Sequence, residues 1–189
     1  LLEGGSMGAV DSYFLGNGIE PNGKYALFVL RPWKGFEEKK EIFVNTANYI
    51  HERYGLTPIF FALEPDRDLA PSRQVADLLD CESHILSAPQ DEKLLISMMK
   101  KMQIVISMRL HTLIFASSVG TPLVAVSYDP KVTGFMQYIG QKHCVGFEDV
   151  CEENLCRLAD EALTEREPYC VEHLRRLARE NENVARKWL

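Results

Sequence analysis

Four side chains that could bind an anion or move a proton follow short apolar runs in this sequence: Arg31, Arg109, His111 and Lys131. Arginine presents a planar fork that pairs with a carboxylate or phosphate through two hydrogen bonds, whereas lysine acts as a point charge. Histidine can carry a charge or transfer a proton near neutral pH. Because ligands of an open α/β sheet bind at the carboxyl ends of its strands, this placement predicts a pocket for one small anion.

Residues 102–140 contain two strand–corner–helix units in succession. In the first unit, an apolar run leads to the polar trio Ser107, Arg109 and His111, and the helix is expected to begin near residue 107 or 108. The unpaired N–H groups of a first helical turn and the helix dipole both attract an anion. With Arg109 and His111 in that turn, the first corner is predicted to bind one.

The second corner spans residues 127–131 and repeats this order of elements. Asp129 is expected to cap a helix that begins at Pro130, because proline suits a first helical turn. Lys131 then lies in that first turn, within reach of a phosphate. Tyr128 either lines the pocket or serves as packing.

A third corner follows the first apolar run of the chain, where Pro32 stops the strand directly after Arg31. Trp33 comes next and is interpreted as a packing residue, with pocket lining as the alternative. The cations have structural alternatives too: Arg109 would pair with a structural acid, and His111 would be a hydrogen-bonded core histidine. Lys131 would be an ordinary solvated lysine. The sequence alone leaves these alternatives open.

Apolar runs of strand length alternate with helical patterns, which predicts a parallel sheet of about five or six strands with right-handed crossovers. The predicted strands are residues 25–30, 57–63, 83–86, 104–106, 123–126 and a short segment near 144–145. The predicted helices are residues 37–54, 69–79, 91–101, 113–119, a helix from 130, 149–164 and 167–188. Residues 1–24 are expected to be a linker or a vector-derived lead-in, and residues 25–189 a Rossmann-like domain.

The amino-acid composition and the absence of several motifs argue against some classes of function. A net charge of −6 argues against nucleic acid or an anionic membrane as the main partner, and no apolar run approaches the ~20 residues of a membrane span. The 5 cysteines are irregularly spaced, which favours a reducing compartment over a disulfide framework. Neither a dinucleotide-binding glycine motif nor a Walker loop is present, and the histidines lack metal-ligand spacing.

The contiguous run from residue 107 to 140 resembles a known family. Its S-M-R-L-H segment, the later G-x-P and the S-Y-D-P-K-V segment, together with R-P-W at residues 31–33, resemble the C-terminal half of the polysaccharide pyruvyl transferases. The resemblance covers about residues 25–140. It implies a GT-B-type enzyme with two Rossmann-like halves, of which this chain is expected to hold only the second, so that the N-terminal half is a missing partner.

The resemblance also implies an activity: transfer of a pyruvyl group from phosphoenolpyruvate to two hydroxyls of one sugar, forming a cyclic ketal and releasing phosphate. It assigns Arg31, Arg109 and His111 to the donor, with Lys131 assisting. His111 is the implied acid or base. The remaining residues that it places in the substrate site are Ser107, Leu110 and Tyr128.

Several further expectations follow from the resemblance. Phosphoenolpyruvate is the donor substrate, and neither a cofactor nor a metal is expected. The acceptor is a sugar or lipid-linked saccharide destined for a cell-surface polysaccharide, and the expected location is the cytoplasm, with peripheral association at the inner membrane face as a variant. Two alternatives of other classes remain: a GT-B glycosyltransferase or nucleotide-sugar-binding domain, and a non-catalytic anion-binding domain.

Overall fold

A computed structural model describes residues 6–89 and 91–165. Its six strands form one parallel sheet in the order β3-β2-β1-β4-β5-β6. The strands are β1 (Tyr25–Val29), β2 (Thr57–Ala62), β3 (His84–Ser87), β4 (Met102–Ser107), β5 (Leu123–Ser127) and β6 (Cys144–Gly146). The helices are α1 (Met7–Gly16), α2 (Phe36–Tyr54), α3 (Pro65–Ala76), α4 (Glu92–Lys101), α5 (Leu110–Ser118), α6 (Pro130–Tyr138) and α7 (Glu152–Thr164).

The sheet is apolar on both faces, as its continuous hydrophobic runs require. Every residue of β1 and β5 is buried. Phe28 in β1 stands beside Phe60 of β2 on one side and Ile106 of β4 on the other. The prediction of a Rossmann-like α/β fold is therefore confirmed.

Helices cover both faces of this sheet. Buried residues of α2, α3 and α7 pack with one face, represented by Phe43, Val75 and Leu155. Buried residues of α1, α4, α5 and α6 pack with the opposite face. Each strand therefore runs into a turn at its carboxyl end before the next helix begins, and these turns carry the candidate site.

The prediction of a linker over residues 1–24 is wrong for residues 7–16, which form the helix α1. Val10 and Phe14, one turn apart, are fully buried, and the Phe14 ring meets the Tyr25 ring edge-on at 5.7 Å between centroids. The Tyr13 hydroxyl donates to the Ser87 carbonyl at 2.6 Å. Two core residues are too few to reveal a helical period in a glycine-rich stretch.

Three helix starts differ from the predictions by two residues or more. Helix α3 begins at Pro65 instead of residue 69, since proline occupies the first helical turn after Glu64. Helix α5 begins at Leu110, later than the expected 107 or 108, because Arg109 remains extended (φ −99°, ψ 122°). Helix α7 begins at Glu152, three residues late. The predicted helix over residues 167–188 lies outside the described residues.

Within residues 6–89 and 91–165, no helix is long and apolar enough to cross a membrane. Four cysteines in this part of the chain are free thiols: Cys81, Cys144, Cys151 and Cys156. Burial raises the pKa of Cys81, Cys144 and Cys156, which makes them less reactive at neutral pH. This agrees with the structural role predicted for them.

The strand order reverses between β1 and β4, which are paired at the centre of the sheet. An open parallel sheet binds ligands in the crevice at such a reversal, outside the carboxyl ends of the strands. The ends of β1, β4 and β5 lie side by side there. The three predicted corners are thus adjacent.

Candidate functional site

The corners after β1 and β5 contact each other through Arg31 and Tyr128. The half-buried Arg31 donates a hydrogen bond to the Tyr128 hydroxyl, and its guanidinium carbon lies 5.1 Å from the centre of the same ring. The Trp33 ring packs against the Tyr128 ring as well, with 4.5 Å between the two centroids. Because β4 lies between β1 and β5, this trio spans the end of the central strand.

Arg109 makes a different set of contacts. Its side chain is only 5% exposed, and its two terminal nitrogens donate to Glu64 Oε1 at 2.6 Å and to Asp68 Oδ1 at 2.5 Å. Asp68 is fully buried, and its other oxygen accepts from the Glu64 backbone N–H at 2.9 Å. The pairing with structural acids that the sequence left open for Arg109 is therefore present.

The charges in this cluster support one another. Burial on its own would lower the pKa of Arg109, but the hydrogen bonds and charges of Asp68 and Glu64 outweigh it and raise that pKa. Burial would raise the pKa of Glu64, but Arg109 with Arg67 and Arg31 nearby lowers it overall. Arg109 is therefore a cation and Glu64 a carboxylate at neutral pH.

The N-terminus of α5 has hydrogen-bond donors that find no acceptor within the described residues. Arg109 is the capping position, but its side chain makes no cap hydrogen bond. Within the described residues, the backbone N–H groups of Leu110, His111 and Thr112 have no acceptor. The hydroxyl of the fully buried Thr112 and the Nε of Arg109 are also buried, and neither has a partner in the part of the chain that the structure describes. Such a cluster of donors at a helix N-terminus suits an anion.

His111 is the second residue of α5 and is exposed to solvent. The alternative of a buried core histidine is therefore excluded. Leu110, in contrast, packs partly against the core. Of the two motif residues, only His111 presents a group that could exchange a proton with a substrate.

The turn before α5 is shaped by Ser107, which is fully buried. Its hydroxyl accepts from the Arg109 N–H at 2.9 Å and donates to the Arg109 carbonyl at 3.0 Å. The predicted direct role of Ser107 in substrate binding has no support in this geometry, because both functions of the hydroxyl are used within the turn.

At the second corner, the prediction for Asp129 is confirmed: its carboxylate caps α6 by accepting from the Lys131 N–H at 2.9 Å. The Val132 N–H is bound to the Asp129 carbonyl at 2.9 Å. The Ser127 hydroxyl donates to the same carbonyl at 3.0 Å and contacts Thr133 Oγ1 at 2.8 Å. The side chain of Lys131 is exposed at this corner.

Three residues of the site were missed at the sequence level: Glu64, Asp68 and Thr112. The acids follow β2 in the way that the cations follow β1, β4 and β5, so a search for any charged residue after a strand would have found Glu64. Asp68 lies 41 residues from Arg109, and no local pattern indicates that pair.

The fold and this edge define a Rossmann-like α/β domain with a cluster of hydrogen-bond donors at the carboxyl end of its central strand. Residues 6–130 match the family model for polysaccharide pyruvyl transferase. The chain therefore belongs to the polysaccharide pyruvyl transferase family, and the resemblance noted in its sequence is confirmed.

Solved structures of other enzymes share the fold. A family 9 glycosyl transferase from Veillonella parvula is 17% identical, with a TM-score of 0.63 over 84% of this chain and 51% of its own. A UDP-GlcNAc 2-epimerase from Methanocaldococcus jannaschii is 15% identical, with a TM-score of 0.61 over 85% of this chain and 44% of its own. This chain thus spans about half the length of these proteins. A search of curated proteins gave no significant match.

Proposed function

We propose that this chain is the donor-binding half of a transferase that takes phosphoenolpyruvate and attaches its pyruvyl group, as a cyclic ketal, to a sugar of a cell-surface polysaccharide. Family membership supports pyruvyl transfer. The N-terminus of α5, with its free N–H groups and buried unpaired donors, is the observation that carries the donor site. The acceptor is a saccharide, lipid-linked or free, met in the cytoplasm or at the inner membrane face.

The two anionic groups of phosphoenolpyruvate match two kinds of hydrogen-bond donor at this edge of the sheet. In the proposal, the phosphate binds the backbone N–H groups of Leu110, His111 and Thr112 and the Thr112 hydroxyl, where the helix dipole adds positive potential. The carboxylate binds Arg31, whose planar fork suits it. Lys131 contributes charge from the next corner, and Tyr128 holds Arg31 in place through its hydroxyl.

Arg109 enters the proposal mainly as a positioning residue. Its terminal nitrogens already bind Glu64 and Asp68, and its Nε has no partner within the described residues. These two ion pairs, called the Arg109 clasp below, fix the residue that directly precedes α5. In the proposal, Arg109 therefore orients the helix N-terminus toward the donor, and its unpaired Nε can add a direct contact.

The reaction needs a proton donor, a proton acceptor and donors of hydrogen bonds to the phosphate. A proton adds to the methylene carbon of the enol phosphate, which becomes the methyl group, and the neighbouring carbon becomes an oxocarbenium centre. One sugar hydroxyl adds there and loses its proton; the C–O bond to phosphate then breaks, and a second hydroxyl closes the ring with loss of its proton. Of the three proton transfers, the proposal assigns the first to His111.

Calorimetry with phosphoenolpyruvate tests the donor site on this chain. Arg31→Ala and Thr112→Val should each weaken binding by about 10-fold or more, because each removes a hydrogen bond to a charged group. Lys100→Ala is the matched control, since it removes one exposed cation from the end of α4, next to the amino end of β4. If the wild type binds phosphoenolpyruvate no better than Arg31→Ala does, or prefers a nucleotide-sugar, the proposed donor is wrong.

Catalysis requires the two-domain enzyme. There, His111→Ala should reduce kcat by about 100-fold or more while the affinity for phosphoenolpyruvate changes little, since general acid catalysis contributes about 10²–10⁴-fold. Turnover close to that of the wild type would remove His111 from the proton-transfer role.

A further inference from the structure

A groove of about 350 Å³ lies beside the donor corner, between the start of α2 and helix α3. Trp33 forms one wall, with Pro71 of α3 also in the lining. Its polar lining residues are Glu37, Glu38 and Gln74. Among the described residues, no lysine or arginine lines this groove, so it is poorly suited to an anion such as the donor.

The polar groups of this groove are mainly hydrogen-bond acceptors. Gln74 donates from its Nε2 to Glu37 Oε1 at 2.5 Å, which leaves the Gln74 carbonyl oxygen available. Lys40 pairs with the other Glu37 oxygen at 3.0 Å. Within the described residues, the exposed Glu38 carboxylate makes no hydrogen bond or ion pair. Acceptors of this kind suit a ligand that is rich in hydroxyl donors.

The aromatic wall adds an apolar surface to these acceptors. Trp33 is 41% exposed although its ring packs against Tyr128, so part of the indole stays open to solvent. An aromatic surface bordered by carboxylate and amide oxygens matches a pyranose, whose C–H face is apolar and whose rim consists of hydroxyls. The size of the groove is at the lower end of small-molecule sites, which fits one or two sugar rings.

We propose that this groove binds a neutral sugar unit of the acceptor saccharide, with Trp33 under the ring and Glu38 and Gln74 accepting from its hydroxyls. The assignment rests on the proposed function, because a pyruvyl transferase must hold its sugar acceptor beside its donor. Trp33 touches Tyr128, and Tyr128 touches Arg31, so the groove and the donor corner share a wall. The acceptor would thus be held next to the donor's carboxylate.

Tryptophan fluorescence tests this site directly, because the chain contains only 2 tryptophans. In Trp188→Phe, the emission comes from Trp33 alone. Titration with cellobiose or lactose should shift that emission in a saturable way, at about millimolar concentration, as expected for one weakly bound ligand. Glucuronic acid should bind less well than either, since its carboxylate would lie against Glu38.

Two variants in the Trp188→Phe background test which side chains of the groove accept hydrogen bonds from the sugar. Glu38→Ala and Gln74→Ala should each weaken sugar binding by about 2- to 10-fold, the effect of one hydrogen bond. Glu41→Ala is the matched control, because Glu41 is an exposed acid of the same helix outside the groove. All three should bind phosphoenolpyruvate like their parent, which also shows that they are folded.

Failure of this proposal is distinguishable from failure of the donor assignment. If phosphoenolpyruvate binds but neither disaccharide changes the emission of Trp33, the groove is not a sugar site. If choline shifts the emission and Glu38→Gln abolishes that response, the groove binds a cation and the proposal is wrong. If phosphoenolpyruvate itself fails to bind, the donor assignment fails first.

Discussion

The corners after β4 and β5 begin alike and end differently. In each, a serine hydroxyl donates to the carbonyl two residues later at 3.0 Å, Ser107 in the first corner and Ser127 in the second. The second corner then places Asp129 at the helix start, and its carboxylate occupies an N–H group of α6. The first corner places Arg109 there, whose side chain leaves the helix start uncapped.

This difference shows what distinguishes a capped helix start from one whose N–H groups are free to bind an anion. An N-cap carboxylate satisfies the donors of its own helix and repels an external anion. A cation at the same position, held by acids from elsewhere in the fold, leaves those donors unpaired. The first corner has no such cap, and Glu64 and Asp68 hold the side chain of its capping residue, Arg109, instead.

The largest effect is expected from Asp68→Ala, which tests whether those acids hold the first corner. It leaves the buried Arg109 guanidinium without one of its two carboxylates, and loss of a buried partner lowers the free energy of unfolding by about 3–5 kcal/mol. Urea unfolding measures this. Asp66→Ala, an exposed acid of the same helix, should stay within about 0.5 kcal/mol of the wild type. Equal losses in the two variants would show that the clasp does not stabilise the corner.

A smaller effect is expected at the second corner. Asp129→Ala removes the cap of α6 and should lower the free energy of unfolding by about 1 kcal/mol, whereas Asp129→Ser keeps an acceptor and should lose less. Thermal unfolding of the two variants checks this. Because the second corner's N–H groups are not part of the proposed phosphate site, affinity for phosphoenolpyruvate should not fall in either variant. A marked fall would mean that the two corners are not as different as their caps indicate.

The smallest effect is a pH dependence at Glu64. Its pKa is lowered in the folded protein, so its contribution to stability is fully present above the ordinary value of 4.5 and is lost as the pH falls through the folded-state value. The difference in unfolding free energy between the wild type and Glu64→Gln should therefore be constant from pH 7 to about 5 and shrink below it. Glu64 is 49% exposed, so solvent screens the effect. A difference that grows on acidification would contradict the pairing with Arg109.

Much of this fold follows from local sequence patterns. Continuous apolar runs identified the strands, and the Asp129–Pro130 pair identified both the start of α6 and its cap. The cations at the strand ends were found in the same way. These features depend on residues close together in sequence, where periodicity and capping act.

The rest depends on long-range contacts. Whether Arg109 faces a substrate or a structural acid is decided by Glu64 and Asp68, which lie 45 and 41 residues away. The start of α5 was misplaced because the Ser107 hydroxyl holds Arg109 in an extended turn. Helix α1 was missed because its stability comes from packing on the sheet through Val10 and Phe14. Tertiary packing stabilises most short helices more than local propensity does.

The reversal of strand order at the centre of the sheet has a kinetic consequence. Two contacts join strands β1 to β3 with strands β4 to β6. One is the pairing of β1 with β4, and the other is the Arg109 clasp. Both connect segments that lie far apart in sequence. Contacts of that range make folding slow, because a long loop must close before they form. The crevice proposed to bind the donor exists only once those strands have paired. Recovery of ligand binding during refolding should thus coincide with the last and slowest step of assembly.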